Sequence, residues 1–381
     1  MKIAVNTRLL IKDKLEGIGW YTYETFKRIT QEHPEHEFHF LFDRKPHDDF
    51  IFSSNIKPVV LHPQARHPFL WHIWFQLSVA RYLKTNNIDL FVSPDGFIPL
   101  NSKTPTIAVI HDINFHHHPE GLPQISRYFY KRYFPMFANK STKIVTVSEY
   151  SKNDIANSFN VDLNKIAVTH NGANKVYSPI TDEEKTSVKH KYTKGNQYFV
   201  FVGALNPRKN VARLIKAFDR FLSLSNLNYC LVIVGEAMFM TNDIREAIAE
   251  MVHKESVVFT GRLQVEELRL VLGAATALTF VPYFEGFGIP LVEAMYCHVP
   301  IIASNRTSMP EVAGDAAFYI DPFDIDSITR AMKLVATDGK LREALVAKAE
   351  KRKELFSWDN TASKLYECIE EVLTETKKAN A

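Results

Sequence analysis

Residues 285–293 read Glu285-Gly286-Phe287-Gly288-Ile289-Pro290-Leu291-Val292-Glu293. An apolar run, Ala277 to Val281, stands ahead of them and reads as a buried strand. A helical pattern ending near Cys297 follows. The stretch is therefore a strand-to-helix turn, with Glu285 in the loop and Glu293 inside the helix. Gly286 and Gly288 let the main chain approach a ligand closely. Pro290 suits a first helical turn, where a missing N–H costs little. N–H groups at a helix start favour anions or hydroxyl oxygens. Together these features suit a polyhydroxy, phosphate-bearing ligand.

Working outward, strand and helix patterns alternate along the chain. The first half predicts strands at 2–6, 37–42, 58–61, 89–92, 106–110, 143–147 and 166–169, with helices to about residue 29 and over 68–84, 124–139 and 149–159. The polar segment 170–197 reads as a connection between domains. The second half predicts strands at 198–202, 229–234, 257–259, 277–281, 300–303 and 316–319, with helices from about 207 to 223 and over 242–252, 265–272, 325–335, 340–355 and 360–376. Two successive sets of β-α units predict an α/β chain with two doubly wound parallel sheets. Ligands of such sheets sit outside the carboxyl ends of the strands. Gly17, Gly19, His111, Arg208, Lys209, Arg262 and Glu285 all follow strand ends, which places the expected site between the two domains.

Length and composition agree. The 381 residues exceed one ordinary core, and 46% hydrophobic with 23% charged residues is a globular balance. A net charge of +3 gives no argument for nucleic acid. Three scattered cysteines fit a reducing compartment without a disulfide framework. The first residues read as a strand rather than a signal peptide, and no run approaches a spanning helix, so a cytoplasmic protein is expected.

Several side chains carry chemistry. Gly203 ends a strand, and Arg208 and Lys209 follow at an expected helix start. A guanidinium fork with an ammonium makes a diphosphate clamp. Cations at a helix N-terminus oppose its dipole, so a compensating anion is expected there. His111 ends a buried strand and is read as a tuned imidazole. His116, His117 and His118 follow it too closely in one loop to converge on one metal ion. Gly17 and Gly19, between the first strand and helix, offer main chain to a phosphate or acceptor. Asp324-Ile325-Asp326 precedes a helical pattern and reads as a cap rather than a metal site. Two segments, 69–75 and 127–134, are aromatic and basic; their period fits a core-facing stripe, with contact to an anionic membrane as the functional alternative.

Taken together, the Gly loop at 17–19, His111, Thr146-Val-Ser-Glu-Tyr-Ser-Lys152, His170-Asn-Gly172, Pro207-Arg-Lys-Asn210 and the pair Glu285 and Glu293 resemble the retaining nucleotide-sugar glycosyltransferases of family 4, nearly end to end. The segment 308–317 is similar to mannosyltransferases of polysaccharide and O-antigen synthesis. The resemblance implies the GT-B architecture, two Rossmann-like domains facing across a cleft: 1–173 on the acceptor side, joined by a final helix 358–381, and 174–357 on the donor side. Arg208 and Lys209 would hold the donor diphosphate and Glu293 the ribose diol. Glu285 would hold the transferred sugar, with Gly286 and the N–H groups of Phe287, Gly288 and Ile289. His111 would lie near the anomeric centre, and Gly17, Gly19 and Gly203 would line the donor. The family's Gly loop often carries two adjacent glycines before its last one, and Glu16 takes one of those places here.

The implied reaction is a hexosyl transfer with retained configuration, in which a leaving-group phosphate oxygen takes the acceptor proton. Its donor would be a nucleotide sugar, best matched by GDP-mannose, and its acceptor a glycan or lipid-linked sugar. No cofactor or divalent metal is required. Peripheral contact with the inner face of a membrane goes with such an acceptor. A UDP- or ADP-sugar donor, or a nucleotide-sugar epimerase of the same architecture, stays open.

Overall fold

The apolar runs form two all-parallel sheets in a computed structural model that describes residues 1–236 and 242–380. The chain divides into two compact units, one of Met1–Asn171 with the chain from Trp358 onward, the other of Gly172–Ser357.

The first unit holds seven strands: β1 (Lys2–Asn6), β2 (Glu37–Phe42), β3 (Ile56–Val60), β4 (Leu90–Ser93), β5 (Thr106–Val109), β6 (Lys143–Thr146) and β7 (Ile166–Val168). Their spatial order is β3-β2-β1-β4-β5-β6-β7. Buried on both faces, these strands read as continuous apolar runs such as Ile3-Ala4-Val5 rather than as alternations. The aromatic segments pack beneath the sheet. Trp74 and Phe75 of the 68–85 helical stretch, and Phe134 and Phe137 of the helix Gln124–Lys140, are buried in one core cluster. The 68–85 stretch is interrupted by a π-helical segment, Trp74–Val79. The final helix, Trp358–Asn380, lies on the first helix of the chain, with Arg28 paired to Asp359, and Lys143 of β6 is paired to Glu371 at 2.8 Å.

The second unit holds β8 (Gln197–Val202), β9 (Tyr229–Val234), β10 (Val257–Gly261), β11 (Ala277–Phe280), β12 (Ile301–Ser304) and β13 (Ala317–Ile320), ordered β10-β9-β8-β11-β12-β13. The strand order reverses between β8 and β11, and that reversal opens a crevice at the carboxyl ends of those two strands.

Three sequence expectations need correction. The connection 170–197 contains a helix, Asp182–Thr193, whose start is a capping box between Thr181 and Glu184. Arg208 and Lys209 do not open the long helix. They lie in a separate single turn, Pro207–Lys209, and the helix runs Val211–Ser225 after Asn210 in a left-handed conformation. Gly17 and Gly19 are not loop residues, because the first helix spans Gly17–Glu32.

Candidate active site

The loops after β8 and β11 bring together Arg208, Lys209 and Glu285. Asn210 fastens the Pro207–Lys209 turn to its neighbours by donating to the carbonyls of Val281 (3.0 Å) and Pro322 (2.7 Å). Tyr283 N–H donates to the Arg208 carbonyl at 3.0 Å, and Arg208 Nη1 donates to the Phe284 carbonyl at 3.2 Å. The Glu285 carboxylate then meets both cations: its Oε1 pairs with Arg208 Nη1 and with Lys209 Nζ. Lys209 also lies over the Phe280 ring, 4.8 Å from its centroid. Glu285 and Lys209 are buried. Burial alone pushes the Glu285 carboxyl up, but Arg208 and Lys209 outweigh it and hold it below the usual carboxylate range. The anion that two cations at this turn require is therefore Glu285.

The tip of β9 leaves no room for a side chain at Gly235. A Cβ on Gly235, which follows β9, would lie 2.1 Å from the Gly203 carbonyl oxygen. Past Glu285, Gly288 takes φ +93° as the cap of the helix Ile289–Tyr296, and Pro290 stands in its first turn. Phe287 is buried edge-on against Phe356, with ring centroids 5.6 Å apart.

Glu293 sits on that helix in a different environment. It is half-buried, and the buried Tyr177 hydroxyl hydrogen-bonds its carboxyl. Burial pushes the Glu293 carboxyl up to about 7, against the smaller lowering effect of Tyr177. The two glutamates of the opening stretch thus differ: the cations favour the ionised form of Glu285, whereas burial favours the protonated form of Glu293.

In the first unit, His111 follows β5 and its Nε2 lies 2.9 Å from the Pro94 carbonyl oxygen. A carbonyl only accepts, so Nε2 carries the proton and Nδ1 is the acceptor. Burial pushes this imidazole below its usual range, and it is neutral. Tyr21 meets it edge-on at 4.9 Å. A buried network at the β1–β4 reversal was not read from the sequence: Asn6 Nδ2 donates to Asp95 Oδ1 at 2.7 Å, and Arg8 Nε donates to Asp95 Oδ2 at 2.7 Å. The Arg8 guanidinium lies over Trp71, Phe75 and Phe97. Gly17 and Gly19 differ. A Cβ on Gly17 would meet nothing, whereas one on Gly19 would lie 3.1 Å from both Leu15 Cδ2 and the Leu9 carbonyl oxygen.

The remaining candidates disperse. His117 pairs with Asp154 at 2.8 Å, while His116 meets Phe159 edge-on. Asp324 caps the helix Ile325–Thr337 by accepting from Asp326 N–H at 2.8 Å. Among the described residues, no three His, Cys, Asp or Glu side chains gather as a metal site would require.

Residues 182–352 match the family model of glycosyl transferases group 1, and residues 15–175 match that of glycosyltransferase family 4. The O-antigen chain mannosyltransferase RfbU of Salmonella typhimurium is 30% identical over 70% of this chain and 70% of its own length. The chain belongs to these glycosyltransferases. O-antigen chain mannosyltransferase B of Escherichia coli is similar over a longer span, 28% identical across 94% of this chain and 97% of its own. Among solved structures, sucrose-phosphate synthase from Thermosynechococcus elongatus shares the fold with a TM-score of 0.77 at 15% identity, covering 98% of this chain and 99% of its own. WaaG, a glycosyltransferase involved in lipopolysaccharide biosynthesis, does so with a TM-score of 0.75 at 15% identity, covering 95% and 98%. This glycosyltransferase is a hexosyl-transferring enzyme with two parallel α/β sheets of the GT-B kind.

For this glycosyltransferase, the sequence singles out Arg208, Lys209, Glu285, Glu293 and His111 as candidates but not the groups that hold them. Asn210 and Tyr177 are single polar residues in loops, and nothing in their spacing announces a partner. Asp95 and Arg8 are 87 residues apart in sequence, and only the β1–β4 adjacency joins them.

Proposed function

We propose that this glycosyltransferase moves mannose from GDP-mannose, with retained anomeric configuration, onto a glycan or lipid-linked acceptor in cell-surface polysaccharide synthesis. The observation that carries the donor side is the buried meeting of Arg208, Lys209 and Glu285 at the reversal of the second sheet. The names of the two O-antigen mannosyltransferase relatives support the choice of sugar.

In this reading Arg208 and Lys209 stabilise the charge that grows on the diphosphate as the glycosidic bond breaks, an interaction that is strongest in the transition state. Glu285 keeps the two cations oriented and accepts from hydroxyls of the transferred sugar. Main-chain N–H groups of Phe287, Gly288 and Ile289 assist, with Gly286 and Gly203 leaving space. Glu293 accepts from the ribose diol as its carboxylate. His111 offers Nδ1, the acceptor nitrogen of its neutral ring, to a sugar hydroxyl. Gly17, the open glycine at the first helix start, lets main chain face the donor, while Gly19 serves helix packing. The phosphate leaving group takes the acceptor proton, so no side-chain nucleophile and no divalent metal takes part.

Thermal stabilisation by GDP, UDP and ADP tests the donor. GDP alone should raise the melting temperature; a response to UDP alone removes the mannosyl reading. Product NMR should give the same anomeric configuration as the donor, and transfer should persist in chelator. Epimerised donor formed without acceptor would favour an epimerase instead.

A second observation concerns the acceptor's location. No Asp or Glu occurs between Leu61 and Ile88 or between Gly121 and Ser148, while Arg66, Arg81, Lys84, Arg127, Lys131 and Arg132 all lie there. From the same stretches Phe69 (61%), Leu77 (64%), Ile125 (54%) and Tyr128 (64%) are exposed. No described helix is long and apolar enough to cross a membrane. A surface both cationic and apolar suits peripheral contact with an anionic bilayer, at the cytoplasmic face where a lipid-linked acceptor would be met. Co-sedimentation with vesicles containing anionic phospholipid, and its loss in Phe69→Ser with Tyr128→Ser, would bear this out. Equal binding to neutral vesicles would exclude the electrostatic part.

A further inference from the structure

Two consecutive hydroxyls, those of Thr307 and Ser308, are committed to the main chain of Glu285. The Glu285 N–H donates to Thr307 Oγ1 at 3.2 Å, and Ser308 Oγ donates to the Glu285 carbonyl at 2.9 Å. Both residues follow β12, the neighbour of β11. The peptide groups on either side of the Glu285 Cα are thus held by one short loop.

Each hydroxyl is diverted from an easier local arrangement. Thr307 adopts φ +54°, the left-handed region in which a β-branched side chain is strained. A glycine or asparagine would adopt that conformation more readily. Ser308 occupies the cap position of the helix Met309–Ala313, and Glu311 stands three residues on, the spacing of a capping box. Yet the Ser308 side chain makes no cap bond to its own helix. The next residue, the fully buried Met309, closes the arrangement from below. A Cβ on Gly288 would lie 2.7 Å from Met309 Cε, so the 307–309 segment bears on both ends of the 285–288 segment. Backbone strain and a forgone cap, both without local return, mark a place where the position of the neighbouring segment matters more than the stability of the loop.

We propose that Thr307, assisted by Ser308, is a positioning residue for transfer: it fixes the main chain of Glu285 and hence the point at which the Glu285 carboxylate meets Arg208, Lys209 and the transferred sugar. This inference rests on the reading of Glu285 as a ligand of that sugar. Thr307 touches no reacting atom. Its influence falls on the alignment of a buried carboxylate, where a displacement well under one bond length weakens the transition state more than the bound donor.

Thr307→Gly removes the hydroxyl and relieves the strain together. Its expected signature is a raised melting temperature with kcat lowered by roughly ten- to a hundredfold. Thr307→Ser keeps the hydroxyl without the β-branch, so it should retain the parent kcat while also gaining stability. Such opposed movement of stability and turnover is what a merely structural threonine would not produce. Wild-type kcat in Thr307→Gly, a lowered melting temperature in that variant, or an equal loss in Thr307→Ser each overturns the inference. Glu285→Gln in the same GDP-mannose assay separates the two levels. If it turns over like the parent, the sugar-ligand reading of Glu285 has failed. If it is impaired and Thr307→Gly is not, the positioning role alone has failed.

Discussion

Glu293→Gln should change stability in a way that depends on pH. Burial raises the Glu293 carboxyl from its ordinary value of 4.5 to about 7 in the folded protein. The folded state therefore binds the proton more tightly than the unfolded state does. The stabilisation from this protonated carboxyl is fully present below about 4.5 and is lost as pH rises through about 7. One tenfold step in proton affinity is about 1.4 kcal/mol. The span from 4.5 to about 7 then corresponds to roughly 3 kcal/mol at most, fewer if water reaches the half-buried side chain. Glutamine keeps the shape of the protonated acid and cannot ionise. Urea unfolding of the parent and the variant, without nucleotide, should give nearly equal stability at pH 5 and a variant more stable by on the order of 1–3 kcal/mol at pH 8. The same linkage reaches the ligand. A ribose diol donates more strongly to the ionised carboxylate, so GDP affinity should weaken in the parent as pH falls below about 7. The variant should bind GDP weakly and without that dependence. A stability difference that stays constant from pH 5 to pH 8 would refute the burial argument.

Three further outcomes follow from the geometry. Arg208→Ala should lower kcat/KM by about 10²–10³, read by steady-state assay, if it stabilises the leaving diphosphate; an unchanged value would remove it from the site. Asp95→Ala leaves Arg8 buried without its partner, and should destabilise the protein by about 3–5 kcal/mol in urea unfolding. Gly17→Ala should change stability by less than about 0.5 kcal/mol, whereas Gly19→Ala, crowded by Leu15 and the Leu9 carbonyl, should lower it by about 1–3 kcal/mol.

Local chemistry made most elements legible. Runs such as Ile3-Ala4-Val5 and Phe199-Val200-Phe201 admit few readings other than buried parallel strands. Gly288 and Pro290 announce a helix start, and Asp324 announces another. The helix Asp182–Thr193 carried the same kind of signal in Thr181 and Glu184, but its polar face hid it inside an apparent connection. The helix Met309–Ala313 was missed for a different reason, since five residues hold barely one period. Gly17 and Gly19 suggested a loop because glycine is poor in a helix interior, yet space beside Leu15 and Leu9 required the second of them.

The opening stretch shows where local chemistry stops. By itself the sequence determined a strand, a tight turn, a helix start and two carboxylates, because those depend on neighbours a few residues apart. The charge states of those carboxylates were decided only by the tertiary structure. Strand order places β8 beside β11, so Arg208 and Lys209 reach Glu285 and keep it ionised, while burial raises the Glu293 carboxyl against the smaller lowering effect of Tyr177. The electrostatic energy of a buried group depends on which charges lie within a few ångströms, and for Glu285 those charges come from a segment 77 residues away along the chain.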